Sequence, residues 1–125
     1  MPVPRITKEE LKARIEKKET DPPVILDTRL KYPYEHSTVT LPGALRVDPE
    51  NDQTPPGLSN DRDIVTYDSD PEELVSARVA AALIRKGFRV SALEGGLADW
   101  VTAKFPTDEK HAPKQAPPKA GGLKG

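Results

Sequence analysis

The sequence predicts an α/β domain: a parallel sheet of four or five strands with helices on both faces. Three observations carry that expectation. Short apolar runs of buried-strand type, such as Val24-Ile25-Leu26 and Ile64-Val65-Thr66-Tyr67, recur along the chain. Helical stretches with their own start and stop signals stand among them. Strands alternating with helices over this length fit a parallel sheet that is covered on both sides.

Residues 7–18 read as the first helix. Thr7 and Glu10 form a capping-box pattern, and Leu11 and Ile15 stack one turn apart. The remaining face, with Lys8, Glu9, Lys12, Glu16 and Lys17, is suited to water. Pro22 and Pro23 close that unit before the strand at 24–27. Leu41-Pro42-Gly43-Ala44 is a turn that delivers a second strand at 44–47, and 48–61, rich in Pro, Asp, Asn and Gly, reads as a surface loop. The third strand, 64–67, is closed by Asp68. Asp70-Pro71-Glu72-Glu73 then starts a helix, with Asp70 as N-cap, Pro71 at the first helical position and Glu73 completing a capping box. That helix runs through Leu74, Ala77, Ala80, Ala81, Leu83 and Ile84 to a stop at Gly87. Residues 89–93 form a fourth strand, Gly95-Gly96 a tight turn, and 97–105 a last helix. No internal repeat is visible.

The chain has 125 residues, one domain's worth, and a formal charge of -1 with 19 basic and 20 acidic residues. That balance gives no electrostatic case for nucleic acid or an anionic membrane. Residues 106–125, with four Pro, three Gly and four Lys, read as a disordered tail behind a domain at 1–105. The apolar runs are too short to span or insert into a membrane. There is no cysteine, which excludes disulfides, zinc–thiolate sites, iron–sulfur clusters and a thiol nucleophile. Two histidines, His36 and His111, cannot build a His-rich metal site.

Four segments together resemble the rhodanese-homology domain over roughly residues 6–105. They are Asp27-Thr28-Arg29 after the first core strand, the Leu41-Pro42-Gly43-Ala44 turn, the Ile64-Val65-Thr66-Tyr67 strand, and Lys86-Gly87-Phe88 followed by Leu93-Glu94-Gly95-Gly96-Leu97-Ala98-Asp99-Trp100. The resemblance implies a rhodanese-like fold. It also implies an active loop after Tyr67, where active members carry a cysteine that takes up sulfane sulfur as a persulfide. Backbone N–H groups at a helix N-terminus surround that sulfur. Here Asp68 holds the cysteine position, Val75 falls where the family's arginine would be, and the loop is two residues longer. The loop is most similar to a bacterial subgroup reading Tyr-Cys-x-Cys-Pro-x-Glu-x-x-Ser-Ala-Arg-Val-Ala. Pro71, Glu73, Ser76, Ala77, Arg78, Val79 and Ala80 match it, with Asp68 and Asp70 in place of both cysteines. Several such domains are similar to soluble ends of bacterial polytopic membrane proteins.

The active-loop positions are therefore Asp68, Ser69, Asp70, Glu73, Ser76 and Arg78. A carboxylate cannot hold a persulfide, and its charge repels anionic sulfur donors. Asp70, as N-cap, is expected to fill the anion cradle, whereas Asp68, outside the helix, is expected to add nothing to stability. The alternative is chemical: a strand followed by Asp68-Ser69-Asp70 has the spacing of magnesium-assisted phosphoryl hydrolases, the first Asp attacking phosphorus and the second serving as acid and base. Pro71 and the immediate helix start speak against it.

Structural roles are expected elsewhere. Asp27 and Arg29 read as an ion pair, His36 as a solvated loop histidine, Arg78 as a partner of Asp68 or Glu73, and Trp100 as core beneath the glycine turn. The sequence thus points to a non-catalytic binding or regulatory module, an inactive homologue with no catalytic residue, cofactor or metal. It is expected to be cytoplasmic and monomeric, without nucleic acid or direct membrane insertion. Its expected partner is a protein or a parent membrane protein.

Overall fold

The computed structural model describes residues 3–17, 22–47, 49, 58, 61–69 and 74–109. In chain order the elements are β1 (Arg5–Ile6), α1 (Lys8–Glu16), β2 (Val24–Asp27), α2 (Lys31–His36), β3 (Val39–Thr40), β4 (Leu45–Arg46), β5 (Asp63–Tyr67), α3 (Leu74–Arg85), β6 (Arg89–Leu93), α4 (Gly96–Thr102) and β7 (Asp108–Glu109). Five strands form a sheet in the order β1-β6-β5-β2-β4, every pairing parallel. The fifth strand is β1, whose two residues are too few to leave a strand pattern in the sequence. The expected parallel α/β architecture is present.

Alternation along the strands explains the two-sided core. Ile25, Val65 and Tyr67 face Leu11 of α1 and Leu97 and Trp100 of α4. Leu26, Ile64 and Val90 face Ala80 and Leu83 of α3. Each such side chain, fully buried, contributes about 1.5–3 kcal/mol. The α1 capping box forms as the sequence requires: Thr7 Oγ1 accepts from Glu10 N at 3.1 Å, and Thr7 N donates to Glu10 Oε1 at 3.0 Å. Gly95 is left-handed (φ 82°), and a Cβ there would run into the Asp99 carboxylate.

Three expectations change. His36 ends a short helix, its ring stacked on Tyr32, where a loop was expected. The last helix is shorter than 97–105, ending at Thr102. Residues 106–109, assigned by composition to the tail, pack on the domain. Trp100 Nε1 donates to Pro106 O at 2.7 Å, β7 pairs antiparallel with β3, and Gly43 N donates to Asp108 Oδ2 at 2.9 Å. Composition missed this because the anchors are backbone groups and one carboxylate, with no apolar side chain among them. The remainder of the tail, 110–125, lies outside the described residues.

Candidate functional site

Parallel strands place their C-terminal ends, and the loops that follow, at one edge of the sheet. Asp68 follows the last residue of β5 there, and it is buried. Its carboxylate accepts three backbone hydrogen bonds: Oδ1 from Ser69 N at 2.8 Å, and Oδ2 from Val75 N at 2.8 Å and Ser76 N at 3.0 Å. Val75 and Ser76 belong to the first turn of α3, whose amides have no partner within the helix. A carboxylate at that end also meets the positive pole of the helix. The expectation that Asp68 adds nothing is therefore corrected, since a residue outside the helix in sequence caps it in space. Asp70, Pro71 and Glu73, the cap expected from sequence, lie outside the described residues.

The same segment caps a second helix. Gly95, before α4, offers no side-chain acceptor. Instead Leu97 N donates to Asp68 O at 2.7 Å and Ala98 N to Ser69 O at 3.0 Å. Two residues thus join the N-termini of α3 and α4. The Ser69 hydroxyl is buried with no hydrogen-bond partner among the described residues. Ser76 is buried, and its carbonyl accepts from Thr66 Oγ1 at 3.1 Å. Arg78, expected to pair near the loop, lies exposed on α3 and forms no ion pair with Asp68. A helix in this register turns position 78 outward while it turns Ser76 and Ala80 inward.

Beside the loop, at the end of β2, Asp27 and Arg29 make the expected ion pair, buried and bidentate. Arg29 Nε donates to Asp27 Oδ1 at 2.9 Å and Nη2 to Oδ2 at 2.7 Å, with a further bond from Nη2 to Val39 O at 3.1 Å. Burial works against the guanidinium charge, but the Asp27 hydrogen bond and charge hold the Arg29 pKa above its ordinary value. Arg46 Nη1 closes the group by donating to Arg29 O at 2.5 Å, while its guanidinium lies 4.1 Å from the Tyr34 ring. Tyr67 anchors it from below: its hydroxyl accepts from Leu41 N at 3.3 Å. Burial first, and then the nearby Asp27 carboxylate, push its ionisation far above the usual range. The phenol stays neutral and structural.

Chemically, the arrangement is an anion cradle holding an anion of the protein's own. Its amides aim partial positive charge at Asp68, which disfavours a cation on the same oxygens. Among the described residues no three His, Asp or Glu side chains cluster to hold a metal ion. No helix among them is long and apolar enough to cross a membrane.

The rhodanese-like domain family matches residues 7–103, from the α1 cap to the end of α4. The chain belongs to the rhodanese-like domain family. Solved structures agree. The rhodanese-like domain of an Anabaena protein, determined by solution NMR, is 30% identical, with 92% of this chain and 88% of that one covered and a TM-score of 0.71. A full-length Lactobacillus plantarum protein gives 0.75 at 20% identity, covering 84% and 87%. A Rhodopseudomonas palustris protein of unknown function, described as a possible tyrosine phosphatase, gives 0.69 at 22% identity, covering 85% of each chain. The last two likenesses show the fold alone. No curated protein matches the chain. This rhodanese-like domain carries Asp68 directly after β5. With no cysteine anywhere in the chain, persulfide-based sulfur transfer is closed to it.

Proposed function

We propose that this rhodanese-like domain is a non-catalytic binding or regulatory module, a cytoplasmic monomer that serves a protein partner or a parent membrane protein. One observation carries the reading: the Asp68 carboxylate occupies the cradle and receives Ser69, Val75 and Ser76 amides at 2.8–3.0 Å. A side chain that satisfies the first-turn amides of α3 and the amide of Ser69 at once is committed to structure. To attack phosphorus or hold magnesium it would have to abandon those amides, leaving buried donors unpaired at about 1–3 kcal/mol each. The Asp68-x-Asp70 phosphoryl hydrolase is therefore the weaker reading.

Assays of p-nitrophenyl phosphate hydrolysis, with and without magnesium, separate the two. The module is expected to give no turnover above the buffer blank. Magnesium-dependent turnover that disappears in Asp68→Asn would replace this reading with the enzymatic one.

A further inference from the structure

Residues 106–109 form a strap with three anchors, and each anchor leads back to the edge of the sheet that carries Asp68. Pro106 O accepts from Trp100 Nε1 at 2.7 Å. Trp100 belongs to α4, whose Leu97 and Ala98 amides rest on the Asp68 and Ser69 carbonyls. Asp108 Oδ2 accepts from Gly43 N at 2.9 Å, in the turn whose Leu41 N donates to the Tyr67 hydroxyl at 3.3 Å. β7 pairs with β3, where Val39 O accepts at 3.1 Å from Nη2 of Arg29, the partner of Asp27. The strap thus grips α4, the 41–44 turn and β3 together, and all three converge on the residues at the ends of β2 and β5.

We propose that this strap is a detachable clamp that sets how firmly the Asp68 edge is held. All four of its residues are exposed. A segment held by exposed hydrogen bonds, with no buried side chain, opens locally well before the domain unfolds. Detachment stops at Phe105, whose N–H donates to Trp100 O at 3.2 Å and whose ring packs edge-on against Trp100 at 5.2 Å. The hinge is therefore the Phe105–Pro106 junction. Two states follow: docked, with the three anchors made, and released, with Trp100, Gly43 and β3 freed of them. Release removes one restraint from α4 and one from the 41–44 turn, so the Leu97, Ala98 and Leu41 amides open more often. A partner protein that takes hold of residues 106–109 thereby loosens the Asp68 edge without touching it. The linkage is reciprocal, and whatever stiffens the edge also holds the strap down. The coupling arises from these bonds and does not depend on which function Asp68 serves.

Hydrogen exchange followed by NMR on the intact chain, Asp108→Ala and Asp108→Asn tests the coupling, with the Trp100 indole N–H as the reporter of docking. Loss of one hydrogen bond raises the released population about fivefold. Asp108→Ala is thus expected to speed exchange of the indole N–H and of the Leu41, Leu97 and Ala98 amides by about that factor. The Val65 and Val90 amides, on the inner strands β5 and β6, should keep their rates. Asp108→Asn retains an acceptor oxygen and should stay near the intact chain. A chain ending at residue 105 should show the largest acceleration at the same amides. Faster indole exchange with Leu41, Leu97 and Ala98 unchanged would describe a strap that detaches without consequence, and would overturn the proposal. Acceleration at Val65 and Val90 equal to that at Leu97, the sign of a global loss of stability, would overturn it too, as would an indole N–H untouched by Asp108→Ala. The Asp108 variants alter an exposed side chain, so they decide the matter even if the shortened chain fails to fold.

Discussion

Asp68 Oδ2 accepts the backbone N–H of Ser76 at 3.0 Å, across eight positions of sequence. The bond lets the residue after β5 act as the cap of α3. The same residue's carbonyl caps α4. The residue after β5 thereby fastens two helices to the sheet edge.

Asp68→Ala should cost about 2–4 kcal/mol, because it removes a cap and strands buried amides. Asp68→Asn keeps one acceptor oxygen and should cost about half as much. Urea melts of the three proteins measure the series. A neutral Asp68→Ala would show that the cradle contributes nothing.

Asp68→Cys tests the electrostatics of the cradle directly. The introduced thiol would face the same amides, and its pKa should fall below the ordinary value of about 8.5. Thiolate absorbance against pH reads it. A pKa at or above that value would show that the amides do not favour an anion there.

The Arg29–Asp27 pair is buried on both sides, so Arg29→Ala leaves a buried carboxylate offset only by Arg46 at 3.8 Å among the described residues, and should cost about 3–5 kcal/mol. Arg29→Lys cannot reproduce the two-pronged contact and should recover only part of that. Chemical denaturation of both variants is the measurement. Equal stability of the wild-type and Arg29→Ala proteins would remove the pair from the account of this edge.

Acid should weaken the ion pairs of Asp63, which accepts from Arg89 Nε at 2.9 Å and from Arg14 Nη1 at 3.1 Å. The Arg89 hydrogen bond, opposed in part by burial and reinforced by Arg14, holds the Asp63 carboxyl below its ordinary value. A carboxyl depressed in the folded state adds stability that is fully present above the unfolded value of about 3.9 and is lost as pH falls through the folded one. Asp63→Asn should therefore flatten the acid limb of the stability profile below about pH 4. Asp63 is 43% exposed, so the effect should be small and shrink with added salt. An acid limb unchanged by Asp63→Asn would assign it to other carboxyls.

Truncation separates the docked segment from the residues beyond it. A chain ending at residue 105 loses the Trp100–Pro106 bond and the β3–β7 pairing, and should be less stable by about 1–2 kcal/mol. A chain ending at residue 109 keeps them and should match the full chain within about 0.5 kcal/mol. Thermal and urea melts that fail to distinguish the two truncations would mean that 106–109 contribute nothing.

The fold was legible in the sequence because its determinants are local. Apolar runs at 24–26 and 64–67 are long enough to mark buried strands, the Thr7–Glu10 box marks a helix start within four residues, and the missing cysteine is a matter of counting. The buried pairing of Asp27 with Arg29 was readable for the same reason, since only Thr28 separates them. Only the tertiary structure decided how the groups at the sheet edge are shared. Asp68 finds Val75 and Ser76 because β5 ends opposite the first turn of α3, and its carbonyl finds Leu97 because α4 begins at the same edge. Likewise Pro106 and Asp108 stay with the domain because Trp100 and Gly43 present donors where the chain passes. Hydrogen bonds between distant segments follow from where the chain has folded, and a composition or a period carries no record of them.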